Sequence, residues 1–158
     1  MLDDMFVIDG VVHPFNFDPS NNRDGRGDEV SNLVWNLHSS WNPPELVLPK
    51  PLFMSEWTSQ QLTDTLFKES VVDIAVNHHL PLYTWWKDGV VGRDKNVELA
   101  ERWPNRYILF AGVDPIAGVV ECLDNLAAQI EETPVPLRGV KMYPTQLDVS
   151  KPKPARGL

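Results

Sequence analysis

Short apolar runs alternate with helical patterns along most of this chain. The runs are too continuous for strands with one solvent-exposed face, and they indicate strands that are covered on both faces. They occupy residues 5–10, 71–77, 107–113 and 138–143. Strands that alternate with helices predict βαβ units, and therefore a parallel sheet with right-handed crossovers.

Start signals and apolar spacing predict three helices between these strands. Thr58 and Gln61 have the spacing of a capping box, ahead of a helix that runs over about residues 59–69. Asp94 begins a second helix, which Pro104 ends. Asp114, followed by a proline, provides an N-cap and a proline at the first position of a third helix. The apolar face of this third helix consists of Val119, Leu123, Leu126, Ala127 and Ile130.

Residues 14–57 interrupt this alternation. They are rich in Pro, Asn, Gly and Ser, with tryptophan and phenylalanine scattered among them. A loop this long inside a compact domain indicates a functional lid or a disordered segment, and its aromatic residues favour a packed excursion with a short helix near Val30–Asn36. We expect one domain over residues 1–150 and a flexible, basic, proline-rich tail at residues 151–158.

Composition and charge restrict the class of partner. The 158 residues amount to about one domain, and the net charge is -8 at pH 7. This charge predicts neither a nucleic-acid partner nor binding to an anionic membrane surface. No apolar run approaches the ~20 residues that cross a bilayer, and the acidic N-terminus lacks the basic start of a secretory signal. Cys122 is the single cysteine and forms no internal disulfide, which suits the cytoplasm.

The end of the first strand carries two chemically useful side chains. Asp9 and His13 fall on one face if the strand continues through them with a period of two residues. A carboxylate and an imidazole at that position suit metal ligation or acid–base chemistry. The alternative is an ordinary loop histidine packed on Phe15 or Phe17, together with an Asp9 carboxylate that caps nearby backbone amides.

Three segments together suggest a family. Residues 7–13 read Val-Ile-Asp-Gly-Val-Val-His, residues 96–115 contain Arg-Trp-Pro-Asn-Arg-Tyr and then Ala-Gly-Val-Asp-Pro, and residues 138–144 read Arg-Gly-Val-Lys-Met-Tyr-Pro. These segments resemble the first-, third- and fourth-strand blocks of the amidohydrolase-related family. This metal-dependent barrel group includes aminocarboxymuconate semialdehyde decarboxylase. The resemblance covers roughly residues 5–145.

The resemblance implies an α/β fold of parallel (β/α) units that form the N-terminal half of a TIM-type (β/α)8 barrel. It also implies a divalent metal, usually zinc, and hydrolysis or non-oxidative decarboxylation of a small carboxylated organic substrate. His13 matches one histidine of the family's His-x-His pair, whereas Val11 stands at the other position and cannot ligate a metal. The family's remaining ligands lie on strands five, six and eight, so we expect this half to be inactive in isolation.

Five residues are therefore candidates for the site. His13 is expected at the metal, with Asp9 as a partner of the ligand histidine or as a weak ligand. Lys141 and Tyr143 alternate along the fourth strand, so we expect them to face the barrel axis and contact the substrate. The alternative for Lys141 is a side chain that extends to solvent. Of His78 and its neighbour, one is expected to face the mouth of the site and the other to pack outward.

Two alternatives of another class remain open. One is a truncated, non-catalytic fragment, and the other is a small α/β binding module. A half-barrel leaves the edges of its first and last strands unpaired, and unpaired edges favour self-association into a homo-oligomer.

Overall fold

Strands and helices alternate through most of the protein. The computed structural model describes residues 5–23 and 25–143. Its strands are β1 (Ile8–Val12), β2 (Ile74–His78), β3 (Tyr107–Val113) and β4 (Gly139–Met142). Its helices are α1 (Gly27–Trp41), α2 (Lys50–Phe53), α3 (Ser59–Phe67), α4 (Arg93–Arg102) and α5 (Val119–Glu132). Short 3-10 turns occupy Pro44–Leu46 and Pro115–Ala117. The predicted tail at 151–158 and the end of the predicted domain at 144–150 lie outside the described residues.

The four strands form one parallel sheet in the order of the sequence, β1-β2-β3-β4. The sheet is curled like half of a barrel, and α3, α4 and α5 connect or follow its strands. The predicted α/β class and the parallel pairing are confirmed. Because side chains alternate along a strand, one set faces these helices and the other set faces the concave side of the sheet.

The main core lies between the sheet and helices α3 and α4. Its buried members are Val12, Leu66, Ala75, Leu99, Ala100, Tyr107 and Leu109. The Tyr107 hydroxyl lies in this apolar layer but stays hydrogen-bonded, at 2.8 Å from Thr63 Oγ1 on α3. Burial raises the pKa of Tyr107 to about 12. The phenol therefore remains neutral, which suits its place inside the core.

The long segment at 14–57 is a packed excursion, as predicted, and its helix α1 is longer than the sequence pattern indicated. The segment shares a second core with the loop after β2, built from Phe17, Leu80, Leu82, Trp86, Val90 and Val91. Gly27 begins α1 against the Trp86 ring, where an added Cβ would lie 2.9 Å from the indole. His38 accepts a hydrogen bond from the Leu48 amide at 3.0 Å and stacks on Phe53. The excursion is therefore held by specific contacts.

Helix α5 begins later than predicted, at Val119, because Asp114 caps the separate 3-10 turn at Pro115–Ala117, where its Oδ1 accepts from the Ile116 amide at 3.1 Å. Most of the predicted apolar face of α5 does not pack on the sheet. Val119, Leu123 and Ile130 are 76%, 59% and 60% exposed. The residue that docks α5 on β3 is the buried Gln129. Apolar periodicity identified which residues share a face of this helix, but it did not identify which face meets the sheet. Within the described residues, no helix is both long enough and apolar enough to cross a bilayer.

The capping box of α3 offers a direct test of this fold. Thr58 Oγ1 accepts from the Gln61 amide at 3.1 Å, and the Gln61 side chain accepts from the Thr58 amide at 2.9 Å. We expect Thr58→Ala to lower the free energy of unfolding by about 1 kcal/mol, because a helix-end amide loses its partner. Urea denaturation measures this change. Thr65→Ala, on an exposed position of the same helix, is the control and should change stability much less.

Candidate functional site

A β-bulge sets which side chains of β1 face the concave side. Asp9 pairs with Ala75, and Val12 pairs with Asn77. Three steps along β1 therefore match two steps along β2, which is the pattern of a bulge. Asp9 and Val12 both lie on the helix side of the sheet, and the next residue, His13, lies on the concave side. The prediction that Asp9 and His13 share a face is wrong, because alternation with a period of two is interrupted between them.

Asp9 has a backbone partner within its own strand. Its Oδ1 accepts a hydrogen bond from the Val11 amide at 3.1 Å, which closes a short turn across the bulge. This contact is the amide-capping alternative weighed for Asp9. The predicted role of Asp9 beside a metal receives no support from its position, since its side chain points away from the face that holds His13.

His13 and His78 are linked by hydrogen bonds to backbone carbonyls. His13 Nδ1 lies 3.3 Å from the His78 carbonyl oxygen, and His78 Nε2 lies 3.0 Å from the Gly10 carbonyl oxygen. A carbonyl only accepts, so each of these ring nitrogens carries the proton. The lone pairs are then on His13 Nε2 and His78 Nδ1. Histidines that bind metals have this arrangement, in which the other ring N–H donates to a carbonyl or carboxylate.

The environment keeps His13 uncharged. Burial lowers its pKa to about 4, the hydrogen bond to the His78 backbone opposes this change, and the positive charge of Lys141 adds to the lowering. The His78 ring lies 5.7 Å from the His13 ring, and its Nδ1 is buried without a hydrogen-bond partner in the described part of the chain. At neutral pH His13 therefore presents an unprotonated nitrogen, suited to ligating a metal ion.

Lys141 lies on the concave face, as predicted. It shares this face with Gly139, which pairs with Phe110 on β3. A Cβ on Gly139 would lie 2.5 Å from the Phe110 ring, so only glycine leaves room for it. That ring lies 4.7 Å from the ring of His78. The Lys141 ammonium lies 4.8 Å above the ring of Tyr143, which is 39% exposed.

The structure thus brings His13, His78 and Lys141 to the same face of the sheet, at the carboxyl ends of β1, β2 and β4. Phe110 adds an aromatic surface that sequence reasoning did not select. Nothing in its sequence distinguishes it from the other apolar residues of a buried strand. Gly139 could be recognised in the sequence as a small residue of β4, but the residue opposite it is known only from the strand register.

His79 packs outward, opposite to His78, as predicted for one member of this pair. Its Nδ1 donates to Gln129 Oε1 at 2.7 Å, and the same oxygen accepts from the Gly112 amide at 3.0 Å. Gln129 Nε2 donates to the Gly112 carbonyl at 2.8 Å. Burial lowers the pKa of His79 to about 4, although the hydrogen bond to Gln129 opposes this change. His79 is therefore a structural residue that ties β2, β3 and α5 together.

A separate polar cleft of about 610 Å³ lies beside the start of α4. The ammonium of the buried Lys95 pairs with Glu56 there. The cleft is lined by neither His13 nor His78 nor Lys141. Sequence reasoning missed this cleft, because Glu56 and Lys95 are far apart along the chain and no local pattern links them.

The described residues fit part of a metal site. His13 Nε2 and His78 Nδ1 are the two ring nitrogens of this histidine pair that carry a lone pair, and they belong to rings whose centroids are 5.7 Å apart. A catalytic zinc needs about three protein ligands and an open position. Within residues 5–23 and 25–143, no three His, Cys, Asp or Glu side chains group closely enough to hold a metal ion. One copy of the described chain therefore does not complete such a site.

Comparison with protein-family models, with curated proteins and with solved structures found no match to this chain.

The buried His79 leads to a prediction on pH. Its folded-state pKa of about 4 lies below its ordinary value of 6.5, so the unfolded chain binds the extra proton between these values. His79 thus contributes stability that is fully present above pH 6.5 and is lost as the pH falls toward 4. Between about pH 7.5 and about pH 5, we expect it to remove roughly 2 kcal/mol from the free energy of unfolding.

Urea denaturation of the protein and of His79→Asn at both pH values measures this contribution. Asparagine keeps a donor near the position of Nδ1 but does not titrate, so its stability should fall less between the two pH values. Equal losses for the two proteins would show that His79 does not carry this part of the pH dependence.

Proposed function

We propose that this chain forms the N-terminal half of a TIM-type barrel in an amidohydrolase-type enzyme, which hydrolyses or decarboxylates a small carboxylated substrate. One observation supports this proposal most. An uncharged His13, a buried His78 and a cationic Lys141 meet on the concave face at the carboxyl ends of their strands. In barrel enzymes, this end of the sheet holds the active site.

Lys141 is proposed to bind a carboxylate of the substrate. Its side chain is half-buried beside Tyr143, so its charge is less hydrated than that of a lysine on a free surface. A hydrogen bond to a charged group contributes about 1.5–3 kcal/mol, which is enough to orient a small anion. Tyr143 would add its ring and hydroxyl to the same side of the substrate, and Phe110 would line the opposite side.

His13 is proposed to act at the reacting end of the substrate. The His78 carbonyl fixes its ring through Nδ1, and Nε2 is then the atom that ligates a metal. A divalent metal, zinc by resemblance, would be held partly by His13 and His78, and it would polarise the scissile group or activate water. The remaining ligands must come from outside the described residues. We therefore propose that the described half binds substrate but does not turn it over alone. The single cysteine suggests a cytoplasmic setting.

Lys141→Met tests the substrate proposal. Methionine keeps most of the side-chain length and removes the charge. Binding of benzoate and malonate, measured by calorimetry or by NMR titration, should weaken about tenfold or more, because a charge-assisted contact is lost.

Lys68→Met is the matched control. Lys68 is an exposed lysine directly after α3 whose only described ion pair is with Asp64. This variant should bind both probes as the original chain does. Unchanged affinity in Lys141→Met, or an equal loss in Lys68→Met, would contradict the proposed role of Lys141.

The metal part of the proposal predicts that zinc affinity depends on His13. In equilibrium dialysis with zinc, His13→Gln should lower the affinity at least about tenfold, since even an outer partner of a ligand is worth ~10–100-fold. His38→Gln is the control, because His38 lies in the excursion and its Nε2 already accepts from the Leu48 amide. Equal zinc affinity in the two variants would remove His13 from the proposed metal site. Circular dichroism of each variant verifies that it is folded.

A further inference from the structure

Both edges of the sheet expose apolar side chains. At the β1 edge, four side chains are between 53% and 67% exposed: Met5, Phe6, Ile8 and Val11. At the β4 edge, Val140 and Met142 are 52% and 54% exposed. Helix α5, which connects β3 to β4, also exposes Val119, Val120, Leu123 and Ile130, all more than half exposed; these residues are counted with the β4 side. We name the two surfaces the β1 edge and the β4 edge.

The area of these edges is that of an interface. Together, the exposed apolar residues of the two edges and of α5 expose on the order of 1,000 Å² per copy. A stable interface of standard size buries about 800 Å² from each partner. The backbone amides and carbonyls on the outer side of each edge strand also lack strand partners among the described residues. Both features favour a partner that brings strands of its own.

We propose that this partner is a second copy of the chain, and that two copies close one eight-stranded parallel barrel. A twofold axis along the barrel axis places β4 of each copy beside β1 of the other, so one operation pairs both open edges. All strands stay parallel, and eight strands is the number at which side chains fill a barrel interior. A single unrelated strand would cover one edge and leave the other open.

Charge at the two edges also favours this pairing. On the helix side of the sheet, the β1 edge carries Asp9, and Arg138 stands directly before β4 at the other edge. Seams between unlike edges therefore bring opposite charges together, whereas β4 beside β4 would bring cations together. The net charge of -8 on each copy opposes association at long range. At physiological salt the screening length is about 8 Å, which weakens this repulsion far more than it weakens contacts within the seams.

The closed barrel would also change the site. It would place His13, His78 and Lys141 of both copies around one axis. The chemical meaning of that arrangement rests on the proposed function. The dimer itself rests on the exposed edges alone.

Light scattering coupled to size-exclusion chromatography tests the dimer at about 0.15 M salt. We expect about 36 kDa, twice the chain mass of 17.9 kDa. Ile8→Glu and Val140→Lys should each shift the mass to that of one chain, since each places a charge in an apolar seam. Leu33→Lys is the control, because Leu33 on α1 is similarly exposed at 57% and lies outside both edges. It should remain a dimer.

Mixing the two edge variants tests which strands pair. In a mixed dimer, both substitutions lie in one seam and the second seam is unchanged, whereas a dimer of either variant alone carries an introduced charge in both seams. The mixture should therefore regain dimer mass, whereas neither variant does so alone. A monomeric original chain, open polymers, or dimers that survive both edge variants would overturn the inference. Circular dichroism and thermal melting exclude unfolding as the cause of dissociation.

The two proposals fail separately. A dimer that binds neither benzoate nor malonate would sink the proposed function and leave the inferred barrel standing. A monomer that binds these probes through Lys141 would do the opposite.

Discussion

The site depends on one backbone irregularity, the bulge between Asp9 and Val12. Without this bulge, regular alternation from Asp9 would place His13 on the helix side of the sheet. With it, His13 reaches the concave face and its Nδ1 meets the carbonyl of His78, while Nε2 of His78 meets the carbonyl of Gly10. These two hydrogen bonds join the ends of β1 and β2 and fix both ring tautomers. A reactive geometry is thus specified mainly by main-chain acceptors, which do not vary with side-chain identity.

The sequence predicted the elements well and the contacts between distant residues less well. Apolar runs, the capping box at Thr58 and the proline signals located strands and helices, because these signals are local. The position of Lys141 on the concave face also followed from its alternation with Gly139. The side of the sheet on which Asp9 lies did not follow from the sequence. A bulge shifts the alternation of side chains by one residue, and the apolar pattern gives no signal of it. Phe110, and the pair of Lys95 with Glu56, required the register and the tertiary fold.

Helix α5 shows why an apolar stripe does not identify the docking face. Gln129 holds the helix on β3 by donating to the carbonyl of Gly112 and accepting from its amide, while His79 donates to the same glutamine. Buried polar contacts of this kind are costly unless every group is satisfied, so they define orientation closely. The stripe of Val119, Leu123 and Ile130 is left free for another surface. The helix therefore contacts the sheet through polar groups and leaves its apolar stripe exposed.

The strand order has a consequence for how the protein is made. Each strand pairs only with the strands that neighbour it in the sequence, although the long excursion separates β1 from β2. Contacts of this sequential kind carry a small loop-closure cost compared with sheets whose neighbours are far apart. The β1–β2 pair, with the two histidine–carbonyl contacts, is complete as soon as residue 79 has been added. Elongation at about 5–20 residues per second gives this pair seconds to form before β4 leaves the ribosome. The end of the sheet that carries His13 and His78 can thus form first, and the later units can assemble on it.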